Sequence, residues 1–294
     1  MNDYLLAVIL GVVEGLTEFL PVSSTAHLRI VQAALGIDLG NPYWKTFSIV
    51  IQLGAILCLP AYFWGRIAGL LRRAPRSAEG RRAMVEHPLT LTLIAFIVTA
   101  VPAFLFSKVI GKHLESLHIM ALSLLVGGIV MWVVDARYER ARRRTASPPR
   151  LTESIEEMSI AQAVWIGACQ VLAAVFPGTS RSMATITAGV LAGMSRPAAL
   201  EFSFFLSIPT MAAATLYDLW KSIRPGPRGA ELGAMPGDAH AWIVLAIGFV
   251  VSFVVAYGVV AWFMSWVRRH GFAMFAVYRI LLGAAVLWWA SRMS

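Results

Sequence analysis

A chain of 294 residues that is 58% hydrophobic and only 14% charged, with mean hydropathy +0.70, is not a soluble globular domain; those carry about 25% charged residues. Its net charge of +9 does not point to nucleic acid either. The arginines sit in short loops between apolar segments, which is the orientation signal of a membrane protein, and no basic groove or RNA motif accompanies them.

In chain order, the first apolar stretch, about 4–36, is broken in the middle by Pro21. Proline removes a backbone donor and clashes with the preceding turn, so two short helices are expected to meet there. Spans of about 17–25 residues are expected near 43–64, 88–109 and 118–136. The loop at 65–87 carries Arg66, Arg72, Arg73, Arg76, Arg81 and Arg82, and the loop at 137–158 carries Arg137, Arg140, Arg142, Arg143, Arg144 and Arg150. A second broken stretch, 159–195, is interrupted at Pro177-Gly178, and three further spans follow near 199–218, 240–263 and 272–291. Broken helices are tolerated at membrane depth only where protein or a water-filled cavity surrounds them. Both broken stretches therefore read as re-entrant hairpins.

Placing the arginine-rich loops in the cytoplasm then puts both termini outside. The first segment lacks a basic n-region and a small-residue cleavage site, so no cleavable signal peptide is expected. Cys58 and Cys169 lie far apart in apolar stretches with no metal-binding spacing and read as small apolar side chains.

The two broken stretches also resemble each other. At an offset of 156, Gly11 meets Gly167, Pro21 meets Pro177, Ser24 meets Ser180 and Arg181 meets Thr25. At 155, Phe47-Ser48 meets Phe202-Ser203. Each half runs hairpin, span, span, span. An odd number of spans inverts the second half, which is the plan of a protein whose site lies near the midplane where broken helices meet. The expected fold is an all-α polytopic membrane protein of six spans and two re-entrant hairpins. It forms one integral membrane domain over 1–294, with halves 1–136 and 159–294 joined by the basic loop 137–158.

The chemistry gathers at the breaks. Glu14 and Glu18 are four apart and share a helix face. Burying both is costly unless a divalent cation lies between them or one is protonated. Past Pro21, Ser23 and Ser24 are placed to cap the next helix, and His27 shares the face of Ser24. At the second break, Gly178, Thr179, Ser180 and Ser182 offer backbone donors and hydroxyls, and Arg181 adds a permanent cation. That combination suits phosphate. Gln52 and Ser207 match across the halves and are candidates for lining the cavity. Arg279 reads either as an interfacial anchor or as a site residue. Asp135, His87, His118 and His270 fall at expected span ends, where solvated roles are expected.

EGLTEFLPVSSTAH (14–27) and PGTSRSMAT (177–185) resemble the two signature motifs of bacterial undecaprenyl-diphosphate phosphatases of the bacitracin-resistance type. The resemblance continues through EFSFFLSIP (201–209) and YRILLG (278–283). Two positions depart from it: the family usually has glycine where Ala26 and Met183 stand. The resemblance implies a multi-pass protein of the bacterial inner membrane whose site faces the periplasm. It implies a divalent metal, Mg2+ or Ca2+, at Glu14 and Glu18. The expected reaction is hydrolysis of undecaprenyl diphosphate to the monophosphate, which recycles the carrier lipid for peptidoglycan synthesis and confers bacitracin resistance. By position, Glu14 and Glu18 are the acidic pair, Ser24 the nucleophile, His27 its neighbouring acid or base, and Arg181 the phosphate clamp. Ser23, Thr25, Gly178, Thr179, Ser180, Ser182 and Gln52 would bind the phosphates, with the prenyl tail between helices. Expected partners are the polyprenyl diphosphate substrate and membrane lipid, with room for a homodimer and none for nucleic acid. Two alternatives stay open: a water in place of Ser24 as the attacking group, and an inverted-repeat carrier that flips a polyprenyl phosphate lipid without cleaving it.

Overall fold

In a computed structural model of the chain, all six apolar segments form helices long and apolar enough to cross a membrane: Pro42–Tyr62, Pro88–Leu105, Leu117–Arg143, Arg196–Lys221, Ala239–Val267 and Ala273–Ala290. The structure describes residues 2–73, 81–105, 117–144, 150–223 and 237–292. Arg76 and the end of the span expected at 88–109 lie outside them. The described helices are α1 (Asp3–Thr17), α2 (Ser24–Ala34), α3 (Pro42–Tyr62), α4 (Trp64–Arg72), α5 (Arg81–Val85), α6 (Pro88–Leu105), α7 (Leu117–Arg144), α8 (Ile160–Val175), α9 (Arg181–Leu191), α10 (Arg196–Ile223), α11 (Ala239–Val267) and α12 (Ala273–Ala290).

Local sequence explains several starts. Asn2 and Asn41 accept backbone N–H groups of Tyr4 and Tyr43 and so cap α1 and α3, with Pro42 in the first turn of α3. Ser159 and Gln162 form a reciprocal capping box at α8. Pro60, Pro102 and Pro209 lie inside helices.

The chain divides into two compact units. They do not follow the two halves of the sequence. The first comprises Met1–Phe19, Ser24–Trp64 and Ser207–Trp262; the second comprises Leu20–Ser23, Gly65–Leu206 and Phe263–Ser294.

In the first unit, Leu6, Leu10, Leu28, Phe47, Ile51 and Val244 belong to one buried apolar cluster. Small residues let α11 approach the other helices closely. A Cβ on Gly15 would stand 2.8 Å from the Ser252 carbonyl oxygen, and one on Gly54 2.5 Å from that of Phe249. The Ser252 hydroxyl donates to the Ile51 carbonyl at 2.7 Å. Gly15→Leu should therefore destabilise the protein by about 1–3 kcal/mol, the usual cost of overpacking. Gly69, with nothing within 4 Å of an added Cβ, is the tolerant control for alanine. Thermal unfolding in detergent checks the pair: equal midpoints for Gly15→Leu and Gly69→Ala would contradict the close approach.

In the second unit, α12 packs along α7, α6 along α8, and α9 against both α7 and α8. Asp135 corrects its sequence reading. It is 5% exposed, because α7 does not stop near 136 but runs on to Arg144. Arg196 neutralises it: Nε donates to Asp135 Oδ1 at 2.8 Å and Nη1 to Glu139 at 2.5 Å. Asp135 Oδ2 accepts the Phe272 N–H at the start of α12. His118 and His270 are exposed, as expected, while His87 is half-buried with Nε2 3.2 Å from the Leu70 carbonyl oxygen. Arg66, read as a loop cation, pairs with Glu156 at 2.6 Å and Glu201 at 2.8 Å. Burial works to raise the Glu156 carboxyl, but the hydrogen bond and charge of Arg66 outweigh it and lower it below its ordinary value.

Candidate active site

Both broken stretches fold as two short helices around a proline turn. α1 ends at Thr17 and α2 begins at Ser24; α8 ends at Val175 and α9 begins at Arg181. The residue just before each second helix is a serine in the left-handed region, Ser23 with φ 74° and Ser180 with φ 70°. Such a backbone costs a non-glycine residue about 1–3 kcal/mol. These serines are 157 residues apart, one more than the register read from the sequence. Ser24 and Arg181, which follow them, are each the first residue of a helix.

Within the second unit the two breaks touch. The Ser182 hydroxyl donates to the Leu20 carbonyl at 2.9 Å. Arg279, fully buried on α12, binds both breaks at once. Its Nη1 donates to the Pro21 carbonyl at 3.2 Å, and its Nη2 lies 2.9 Å from the Thr179 carbonyl, 3.1 Å from that of Gly178 and 3.2 Å from that of Ser123 on α7. Gly127 and Gly128 make room for it: a Cβ on Gly127 would stand 2.5 Å from Nη2. Burial excludes the interfacial-anchor reading of Arg279. The sequence did carry a signal, since an arginine several residues inside an apolar span is expensive and therefore informative. Gly178 has φ 91°, and a Cβ there would meet the Met120 carbonyl oxygen at 2.5 Å, so glycine is required on both counts.

The same unit holds Thr179, Ser180, Arg181 and Ser182. Ser180 caps α9 by accepting the Met183 N–H at 3.4 Å, and its hydroxyl lies 3.0 Å from that of Ser182. Arg181 is half-buried, with Nη1 donating to the Ser203 carbonyl over a long 3.4 Å.

The first unit holds the acids. Glu14 is 1% exposed and Glu18 7%. The Ser24 hydroxyl donates to Glu18 Oε2 at 2.5 Å, the length of a charge-assisted O–H···O⁻ bond. Both Glu14 carboxylate oxygens are buried with no donor against them. Glu14 lies four residues before Glu18, one helical turn away. His27 is half-buried three residues after Ser24, Thr25 is exposed, and Gln52 is half-buried with Oε1 3.5 Å from the Thr215 hydroxyl. Ser23 belongs to the second unit. The structure thus joins Glu14, Glu18 and Ser24 in one group, and the two breaks, Ser182 and Arg279 in another.

Residues 7–285 match the family model described as bacitracin resistance protein BacA. A protein of Koribacter versatilis named undecaprenyl-diphosphatase is 64% identical over 99% of this chain and 100% of its own length. Proteins of the same name from Thermus thermophilus and Sorangium cellulosum are 41% and 43% identical, covering 95% and 96% of this chain and 94% and 85% of their own lengths. The chain belongs to the bacitracin resistance protein BacA family.

Proposed function

We propose that this protein removes the terminal phosphate of undecaprenyl diphosphate, giving undecaprenyl phosphate and inorganic phosphate, and so recycles the carrier lipid and confers bacitracin resistance. The observation that carries the reading is the 2.5 Å bond from Ser24 to buried Glu18 at the end of a helix break. Carriage of a lipid needs no hydroxyl held on a carboxylate; nucleophilic attack does. In this reading Glu18 Oε2 takes the Ser24 proton and Oγ attacks the terminal phosphorus. The bond from that phosphorus to the bridging oxygen breaks, and undecaprenyl phosphate leaves. His27 donates a proton to the leaving oxygen, and water then cleaves the phosphoserine. The 2.5 Å bond supports Glu18 rather than His27 as the group that receives the Ser24 proton. Arg181, the N–H groups opening α9 and the hydroxyls of Ser180 and Ser182 are suited to phosphate, and phosphoryl transfer depends mainly on positioning and electrostatics.

The donor set fits a hard divalent cation. Glu14 offers two buried oxygens without donors, and Mg2+ is commonly held by one or two carboxylates with the rest of its shell from phosphate and water. In this reading Glu14 and Glu18 are the carboxylates that would hold it; among the described residues no group of three or more His, Cys, Asp and Glu side chains is placed to hold a metal. A bound Mg2+ or Ca2+ would neutralise phosphate charge beside the acids. Chelation of divalent metal should abolish turnover and Mg2+ should restore it; turnover unaffected by exhaustive chelation would sink this assignment.

The halves are proposed to be inverted repeats in one inner-membrane domain, each with a re-entrant hairpin. The arginine-rich loops would be cytoplasmic and the site periplasmic. The carrier reading makes the opposite prediction for chemistry. Purified protein should convert undecaprenyl diphosphate to the monophosphate, and a phosphoserine at Ser24 should be trapped on rapid acid quench. Intact diphosphate recovered after transfer across vesicles, with no phosphate released, would favour the carrier.

A further inference from the structure

Beside the second break, α7, α8 and α9 enclose a cavity of about 890 Å³, toward the upper end of ordinary ligand pockets. Its lining lies wholly in the second unit. Each helix contributes one face: Leu122 and Val126 from α7, Leu172 from α8, Ala188 and Leu191 from α9. Thr187 and Cys169 line its wall, and two more polar side chains stand near Arg279. There Thr179 and Ser123 line it, and the backbone carbonyls of both are held by Arg279. Leu122 and Leu172 are each 50% exposed, so the cavity is open along one side. The α7 face from Ile119 to Val130 is roughly 16 Å long at 1.5 Å per residue, the reach of several isoprene units.

Resting on the function proposed above, we infer that this cavity receives the part of the prenyl chain nearest the diphosphate. The occupant follows from the shape. The cavity starts at Thr179, in the break that opens α9 beside Arg181, and continues as an apolar trough with no site for a second charge. A headgroup would find no partner along it. A chain whose charged end is held at the break would fill it and leave by the open side. Met183 forms part of the wall: a Cβ on Gly127 would meet its Cε at 2.7 Å, and Thr187 donates to its Sδ at 3.6 Å. The methionine at this position therefore narrows the end of the trough nearest Arg279.

Cys169 reports on the cavity. It lines it and is partly exposed, whereas Cys58 is fully buried. A thiol-reactive probe on the native protein should modify Cys169, with Cys169→Ser as the blank. Undecaprenyl phosphate should slow that modification at least about fivefold, and dimethylallyl phosphate, with one isoprene unit, far less. Equal protection by a diacyl phospholipid at the same concentration, or no protection by the long chain, would overturn the inference. In turnover, Leu172→Trp should raise KM for undecaprenyl diphosphate about tenfold, equivalent to about 1.4 kcal/mol, with a much smaller rise for dimethylallyl diphosphate. Equal rises for both would also overturn it. If native protein hydrolyses neither substrate, the phosphatase reading fails, while the labelling of Cys169 still decides the cavity.

Discussion

Arg279→Lys is expected to lower phosphate release by about 100-fold, although the residue lies on α12 and far along the chain from every catalytic candidate. The guanidinium reaches four carbonyls, two of them in the second break, one in the first and one on α7. An ammonium is a compact charge without that planar fork; it keeps the cation but cannot tie both breaks at once. A displacement of about 1 Å at reacting groups is enough for about a 10²-fold loss. Arg279→Ala should do worse, because it leaves buried carbonyls without a donor at about 1–3 kcal/mol each and threatens the fold itself. Lysine is therefore the informative substitution. Its folded fraction is measured by size exclusion and thermal unfolding, and kcat is taken per folded molecule. Native turnover in Arg279→Lys would remove Arg279 from the account.

Glu18→Gln is the second large effect. The amide keeps the size of the side chain but no longer accepts the Ser24 proton. General base catalysis contributes about 10²–10⁴-fold, and kcat should fall by that order. Ser24→Ala should fall comparably, and the double variant should be little worse than either single one, as residues that act as a unit are strongly non-additive. If the two losses multiply, Glu18 and Ser24 act separately and the 2.5 Å bond has no catalytic meaning.

What could be read from the chain follows from the range of the forces involved. The six spans were legible because bilayer thickness fixes a minimum apolar length, and the breaks because Pro21 and Pro177 cannot continue a helix. The Glu18–Ser24 contact was half legible: the acids approach the turn from one side and the hydroxyl leaves it on the other. Contacts between distant residues were not. Asp135 looks like the end of a span until Arg196, on another helix, is seen to neutralise it. Arg279 looked like one of two things because its partners are backbone carbonyls, which leave no mark in a sequence. The positive φ of Ser23 and Ser180, one before each second helix, is likewise a property of the backbone that the sequence does not mark.

The most direct measurement is inorganic phosphate released from undecaprenyl diphosphate by purified native protein, Glu18→Gln and Arg181→Lys, each normalised to its folded fraction. The native chain with Mg2+ should show steady multiple turnover, and both variants should lose at least about 10²-fold. No phosphate from the native protein, or native rates in both variants, would contradict a phosphoryl-transfer site at the two helix breaks.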